Sequence, residues 1–175
     1  MSHTSFPDNS TTLLVVVDAQ YIFTRAADPT GSCVGHIAHQ IDRGGYGHVT
    51  YTRFVNHPGS LPATQLDYDK AMATDPKAAL VPAIANRADF TLDHAGYGPN
   101  PKDADDLVSF VRARGIDRAV VMGFDTDACV LSTAFALWDR GLPTAIDSRG
   151  CASSAGTAAH EAALRIARRS LLVLE

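Results

Sequence analysis

Thr12-Leu13-Leu14-Val15-Val16-Val17 is an unbroken apolar run, rich in β-branched residues, that ends on Asp18. A strand covered on one face alternates apolar and polar residues, whereas one covered on both faces is apolar throughout. The run therefore predicts a central strand of a parallel sheet with helices on either side. Ala119-Val120-Val121-Met122, ending at Gly123, reads the same way. Residues 48–53 alternate more weakly, 89–92 form a short run, and 143–146 and 170–174 complete six candidate strands. Helical patterns lie between them. The stretch 101–114 opens on Pro101 and acidic residues, carries Leu107, Val108, Phe110 and Val111 at helical spacing, and stops at Gly115. A second helix is predicted over 127–140, stopped by Gly141, and a third over 154–169, with acid early and arginines late. A weaker pattern covers 35–43. Strand and helix alternate throughout, which predicts an α/β fold with a doubly wound parallel sheet and right-handed crossovers. The connection 56–86, with Pro58, Gly59, Pro62, Pro76 and Pro82, is long; it suits a lid, a subunit contact or a plain loop with one helix.

The chain has 175 residues, enough for one domain spanning 1–175 and too few for two proper cores. Hydrophobic residues at 46% against 19% charged argue against disorder and coiled coil. A net charge of −4 lacks the footprint of a nucleic-acid binder, and the basic cluster Arg165, Arg168, Arg169 reads as a solvated helix face. No apolar run approaches the ~20 residues of a membrane span. Met1 to Pro7 has no basic region followed by an apolar core, so no secretory signal is expected. Cys33, Cys129 and Cys151 are odd in number and widely spaced, which fits neither a disulfide framework nor a zinc site and points to free thiols in a reducing, cytoplasmic compartment. Gly44-Gly45-Tyr46-Gly47 lacks the lysine and serine of a phosphate loop, and neither a dinucleotide fingerprint, a serine elbow nor a zinc-type histidine pair is present. The expected partner is thus a small molecule, with no cofactor and no metal.

Ligands of open parallel sheets bind beyond the carboxyl ends of the strands. Residues at those ends are Asp18, Gln20 and Phe23 after the first strand; Phe54, Asn56 and His57 after the second; Asp93, His94 and Tyr97 after the third; Gly123 through Cys129 after the fourth; Asp147 and Ser148 after the fifth. An acid, a base and a thiol thus come from different strands. Cys129 sits in the first turns of a helix, whose N-terminal dipole and free N–H groups favour thiolate and lower the thiol pKa. Its other reading is a small buried hydrophobe. Asp18 ends an apolar strand, where a carboxylate needs a partner, or else serves as a cap or loop anchor. His94 is a base near neutral pH or a loop histidine touching nothing. His160 reads as a packing or cap residue.

Four segments resemble the isochorismatase-like cysteine hydrolases, the family of nicotinamidases and N-carbamoylsarcosine amidase. They are Val15 to Phe23, with D-x-Q at Asp18 and Gln20; Thr52 to Ser60; Gly123 to Ala134, which resembles the nucleophile segment G-x-x-T-x-x-C-V; and Asp147 to Ser154. The resemblance implies a three-layer αβα sandwich around a six-stranded, mostly parallel sheet and an Asp–Lys–Cys triad. It places Asp18 at the acid–base position and Cys129 at the nucleophile. It also implies a cis peptide at Asp125–Thr126 that aims the N–H groups of Ala128 and Cys129 at an oxyanion, and a homodimer or homotetramer. The family lysine is missing: aligned on Gly96-Tyr97, its position falls on His94. The Asp-x-His metal site of nicotinamidases is missing too, since Phe54 or Val55 stands where the aspartate would be, so no metal is expected. Gln20, Phe23, Phe54 and Tyr97 are the expected substrate contacts.

The expected activity is metal-independent hydrolysis of a C–N bond, in an amide, ureido group or lactam, through a Cys129 thioester. Two alternatives stand beside it: an isochorismatase-type ether or ester hydrolase that uses Asp18 without the thiol, and a catalytically degenerate binding or thiol-sensor protein in which His94 has replaced the lysine.

Overall fold

The structure, a computed structural model, describes residues 9–43 and 45–175. The amino-terminal stretch read for a secretory signal, and Gly44 of the glycine run, lie outside the described residues. Six strands, β1 (Thr12–Val17), β2 (His48–Phe54), β3 (Phe90–His94), β4 (Arg118–Gly123), β5 (Thr144–Cys151) and β6 (Leu172–Leu174), form one sheet in the order β3-β2-β1-β4-β5-β6. All neighbours pair in parallel. Six α-helices connect them: α1 (Tyr21–Ala27), α2 (Ser32–Arg43), α3 (Leu61–Gln65), α4 (Pro101–Arg112), α5 (Leu131–Trp138) and α6 (Thr157–Ala167).

Every residue of β1 is buried, and alternate side chains serve two cores, as period-2 geometry requires. Leu13, Val15 and Val17 pack with Leu107, Val108 and Val111 of α4, Leu137 of α5 and Leu164 of α6. Leu14 and Val16 pack on the opposite face with Ile37 of α2, Val81 and Ile84. Each such side chain contributes about 1.5–3 kcal/mol of burial, so this strand anchors both outer layers.

Several elements differ from the sequence expectation. β3 runs on to His94, because Arg53↔Asp93 and Phe54↔His94 continue its register with β2 and the Arg53 guanidinium grips the Asp93 carboxylate at 2.7 and 2.8 Å. β5 extends through Asp147 and Ser148 to Cys151, so these two residues lie within a strand rather than beyond it. Gly150 allows this, since a Cβ there would stand 2.7 Å from the Met122 sulfur. α6 starts at Thr157, with no acidic residue in its first turn; the Ser154 N–H is used instead at 2.8 Å by the Asp125 carboxylate. α1, seven residues directly after Gln20, was assigned to no element by the sequence reading.

β1 and β4 are adjacent, and successive strands leave them in opposite directions. This is the topological switch point, where the crevice opens at the carboxyl ends. Gly123 closes β4 there with φ +135, and an added Cβ would meet the Val17 carbonyl oxygen at 2.0 Å. Gly123→Ala is therefore expected to lower unfolding stability by about 2–3 kcal/mol in urea titration, through overpacking in a backbone conformation that suits only glycine.

Candidate active site

Asp18 follows β1 with φ 48, a left-handed conformation that aspartate tolerates better than most residues. Its N–H bonds the Thr52 carbonyl at 3.2 Å, and its own carbonyl accepts from Gln20 N–H at 2.7 Å. The carboxylate is fully buried. Oδ1 accepts from the Thr52 hydroxyl at 2.7 Å and lies 2.9 Å from His94 Nε2. Oδ2 is buried without a hydrogen-bond partner, which leaves it open to receive a proton.

His94 ends β3 and is equally enclosed; its Nδ1 lies 2.9 Å from the Gly96 carbonyl oxygen. A carbonyl only accepts, so Nδ1 carries a proton. A neutral imidazole would then turn the bare Nε2 lone pair toward the carboxylate, so a proton must also lie between Nε2 and Oδ1. Burial pulls the His94 pKa down, but the hydrogen bond and charge of Asp18, with the Gly96 carbonyl, outweigh it and raise the pKa above its ordinary value. The histidine thus touches the Asp18 carboxylate from 76 residues away.

Cys129 stands beyond β4 in a π-helical turn, Thr126–Val130, that runs into α5. The helix expected from Thr126 or Asp127 is thus replaced in its first turn by a wider one. The cis peptide is Phe124–Asp125, not Asp125–Thr126. Phe124 is held in the core with its N–H on the Val17 carbonyl at 2.9 Å, so the chain turns directly after it. The Asp125 carbonyl then accepts from Ala128 and Val130 N–H, both at 3.1 Å. Ala128 N–H is consequently engaged here rather than turned free toward an oxyanion. Thr126 is fully buried, and its hydroxyl lies 2.8 Å from His160 Nδ1. The sequence reading had placed His160 only as a packing or cap residue.

The thiol pKa runs opposite to the helix-dipole expectation. Burial, then the charge and hydrogen bonding of Asp18, then the charge of Asp125 raise it well above the ordinary value; a backbone hydrogen bond from Asp125 opposes them less strongly. Desolvation and two nearby carboxylates outweigh one helix end. The surroundings of Cys129 thus favour its thiol form over the thiolate.

A cavity of about 400 Å³ opens over Cys129, lined on its apolar side by Ile22, Phe23, Phe54, Leu66, Tyr68 and Tyr97. Phe54 meets Phe23 and Tyr68 edge-to-face, with centroids 6.2 and 6.0 Å apart. Phe23, Phe54 and Tyr97 therefore line the cavity. Gln20 does not. It is fully buried, its amide donates to the Phe54 and Ala78 carbonyls at 2.9 and 2.6 Å, and its oxygen accepts from Phe54 N–H at 2.8 Å. It clamps the end of β2 and the following connection to β1. Leu66, Tyr68 and Lys70 come from that connection and were missed, because proline-rich sequence without periodicity does not say which way it folds back. Among the described residues, no group of three or more His, Cys, Asp or Glu side chains lies close enough to hold a metal ion. Among them, too, no helix is long and apolar enough to cross a membrane.

The isochorismatase domain family model matches residues 12–174. Solved structures share the fold at low identity. A cysteine hydrolase from Pseudomonas syringae pv. phaseolicola is 23% identical, with a TM-score of 0.76, over 99% of this chain and 92% of that one. A pyrazinamidase/nicotinamidase from Streptococcus mutans is 22% identical, with a TM-score of 0.76, over 93% and 99%. An isochorismatase-like hydrolase from Alkaliphilus metalliredigens is 18% identical, with a TM-score of 0.79, over 93% of each. No curated protein matches the sequence.

Proposed function

This chain belongs to the isochorismatase-like hydrolase family, and we propose that it cleaves a C–N bond of a small amide, ureide or lactam through a thioester on Cys129. The observation that carries the reading is the meeting of three groups at one crevice. Asp18, with a free buried oxygen, lies against His94 on one side and raises the Cys129 thiol pKa on the other.

In the proposed cycle the thiol is deprotonated only as it attacks. Asp18 accepts the proton while sulfur bonds to the carbonyl carbon, and the carbonyl electrons move to oxygen. Backbone N–H groups of the Cys129 turn receive the oxyanion; the Ala128 N–H can share in this once its bond to the Asp125 carbonyl lengthens. Collapse breaks the C–N bond, and the amine leaves with the proton held by Asp18. Water then attacks the thioester, Asp18 takes its proton, and that proton returns to sulfur as the acid departs. His94 stays protonated and holds Asp18 in place, the task the family lysine would perform. No metal enters the scheme, since Phe54, standing at or next to the position of the missing aspartate, forms part of the aromatic wall instead.

The test is a panel of small amides, ureides and lactams scored for ammonia or acid release, with intact mass on samples quenched during turnover. Wild type is expected to show an acyl adduct that Cys129→Ala lacks. Turnover that survives in Cys129→Ala would favour an ether or ester hydrolase working through Asp18 alone. A protein with no turnover and no adduct would favour a binding role.

A further inference from the structure

Asp125 is an acid in a place where the proposed chemistry has no use for one. It lines the cavity beside Cys129, together with Tyr68 and Ser154. Oδ1 accepts the Ser154 N–H at 2.8 Å, and Oδ2 accepts the Ser154 hydroxyl. Both oxygens thus act as acceptors, which favours the ionised form against the burial that raises this carboxyl's pKa. A carboxylate has about four acceptor sites, so lone pairs remain for a ligand. Its charge bears on the Cys129 thiol, and on the Tyr68 hydroxyl it is second only to burial in raising the pKa. Acid, sulfur and an aromatic residue are therefore close neighbours. During attack the carbonyl oxygen turns negative while Asp18 takes a proton and becomes neutral. Asp125 has no such relief and keeps its charge beside the growing oxyanion. Lys70 lines the cavity too, so a ligand meets the balance of these two charges.

We infer that the substrate is a small amide carrying a cationic group, a protonated or quaternary amine, near its scissile carbonyl, and that Asp125 receives this cation beside the rings of Tyr68 and Phe54. The inference rests on the hydrolase reading above and gives its substrate class. The cation offsets the Asp125 charge at the moment the oxyanion forms. Aromatic faces suit the same group, since their negative quadrupole attracts ammonium ions, and Phe54 and Tyr68 stand edge-to-face with centroids 6.0 Å apart.

The test reads charge preference without requiring turnover. The iodoacetamides of aminoethyl-trimethylammonium and of neohexylamine, its neutral carbon isostere, alkylate thiolates by the same step: the C–S bond forms as iodide leaves. Their rate ratio at Cys129, read by peptide mass within each protein, cancels differences in thiol reactivity. The preference for the cation is expected to be about fivefold greater in wild type than in Asp125→Asn, the equivalent of ~1 kcal/mol for one charge pair about 4 Å apart in water. It should shrink in high salt and rise in Lys70→Met, a variant that leaves Asp125 in place and gives the reading if Asp125→Asn misfolds. A ratio that neither substitution moves would overturn the inference. Matched amides bearing the same two groups complete the separation. Hydrolysis without charge preference sinks this inference alone, whereas charge preference at Cys129 without hydrolysis of any amide sinks the hydrolase reading and leaves the cation site standing.

Discussion

Asp18→Asn should abolish hydrolysis, by ~10⁴-fold or more in kcat/KM, and in the same protein lower the pKa of the Cys129 thiol. The two effects look opposed, because a lower thiol pKa is the usual mark of an activated cysteine. They follow together from the geometry. Asp18 is fully buried, and its charge and hydrogen bonding are, after burial itself, the largest influences holding the thiol protonated. Removing the charge relieves the thiol. It also removes the group that the proposed cycle uses to accept the thiol proton at attack and return it to the leaving amine. Asparagine keeps the shape, and its oxygen can still accept from Thr52 and from His94 Nε2–H, so the fold should survive with only the stability that the charge of the pair contributed lost. Turnover and the pH dependence of iodoacetamide alkylation measure both effects. An alkylation pKa that is unchanged or raised in Asp18→Asn would show that Asp18 does not face the thiol as a charged base.

Removing the other partner should instead damage the fold. In His94→Leu, Asp18 keeps the Thr52 hydroxyl but loses the imidazole, although the His94 and Asp18 side chains are 2% and 0% exposed. Breaking a buried pair by deleting one member costs about 3–5 kcal/mol, to be read in urea unfolding. His94→Lys, which restores a cation at this position, should recover a good part of that loss and some activity. The pH dependence has a definite sign. The folded-state pKa of His94 is raised, so the pair's stabilisation is complete below the unfolded value of about 6.5 and is lost as pH rises through the folded value. Wild type should therefore weaken as pH climbs above that range. His94→Lys, whose ammonium ordinarily titrates near ~10.4, should lack this decline up to pH ~9. Equal weakening of both proteins would assign the slope to groups other than His94.

Much of this molecule is written locally. The run from Thr12 to Val17 is apolar at every position, and only a strand covered on both faces has use for that. The alternation of such runs with helical periods stopped at Gly115 and Gly141 gave the parallel sheet and its two outer layers. The strand-end rule then put Asp18, His94 and Cys129 in one crevice, and the motif around Cys129 singled out one thiol of three. These features depend on neighbours within a few residues or on one topological rule.

Other features depended on groups far apart in the chain, and only the tertiary structure decided them. Gln20 looked like a ligand contact, yet its amide is spent on backbone groups 34 and 58 residues away. The pocket wall took in Tyr68 because the connection after β2 folds back over Phe54, which no periodicity announces. The thiol was the sharpest case. Its place at the start of a helix argues for a lowered pKa, since the helix end is a local, fractional charge. Burial and the charges of Asp18 and Asp125 depend on packing, and in a desolvated crevice they prevail, so the sequence could single out the candidate thiol but not the direction in which its pKa moves.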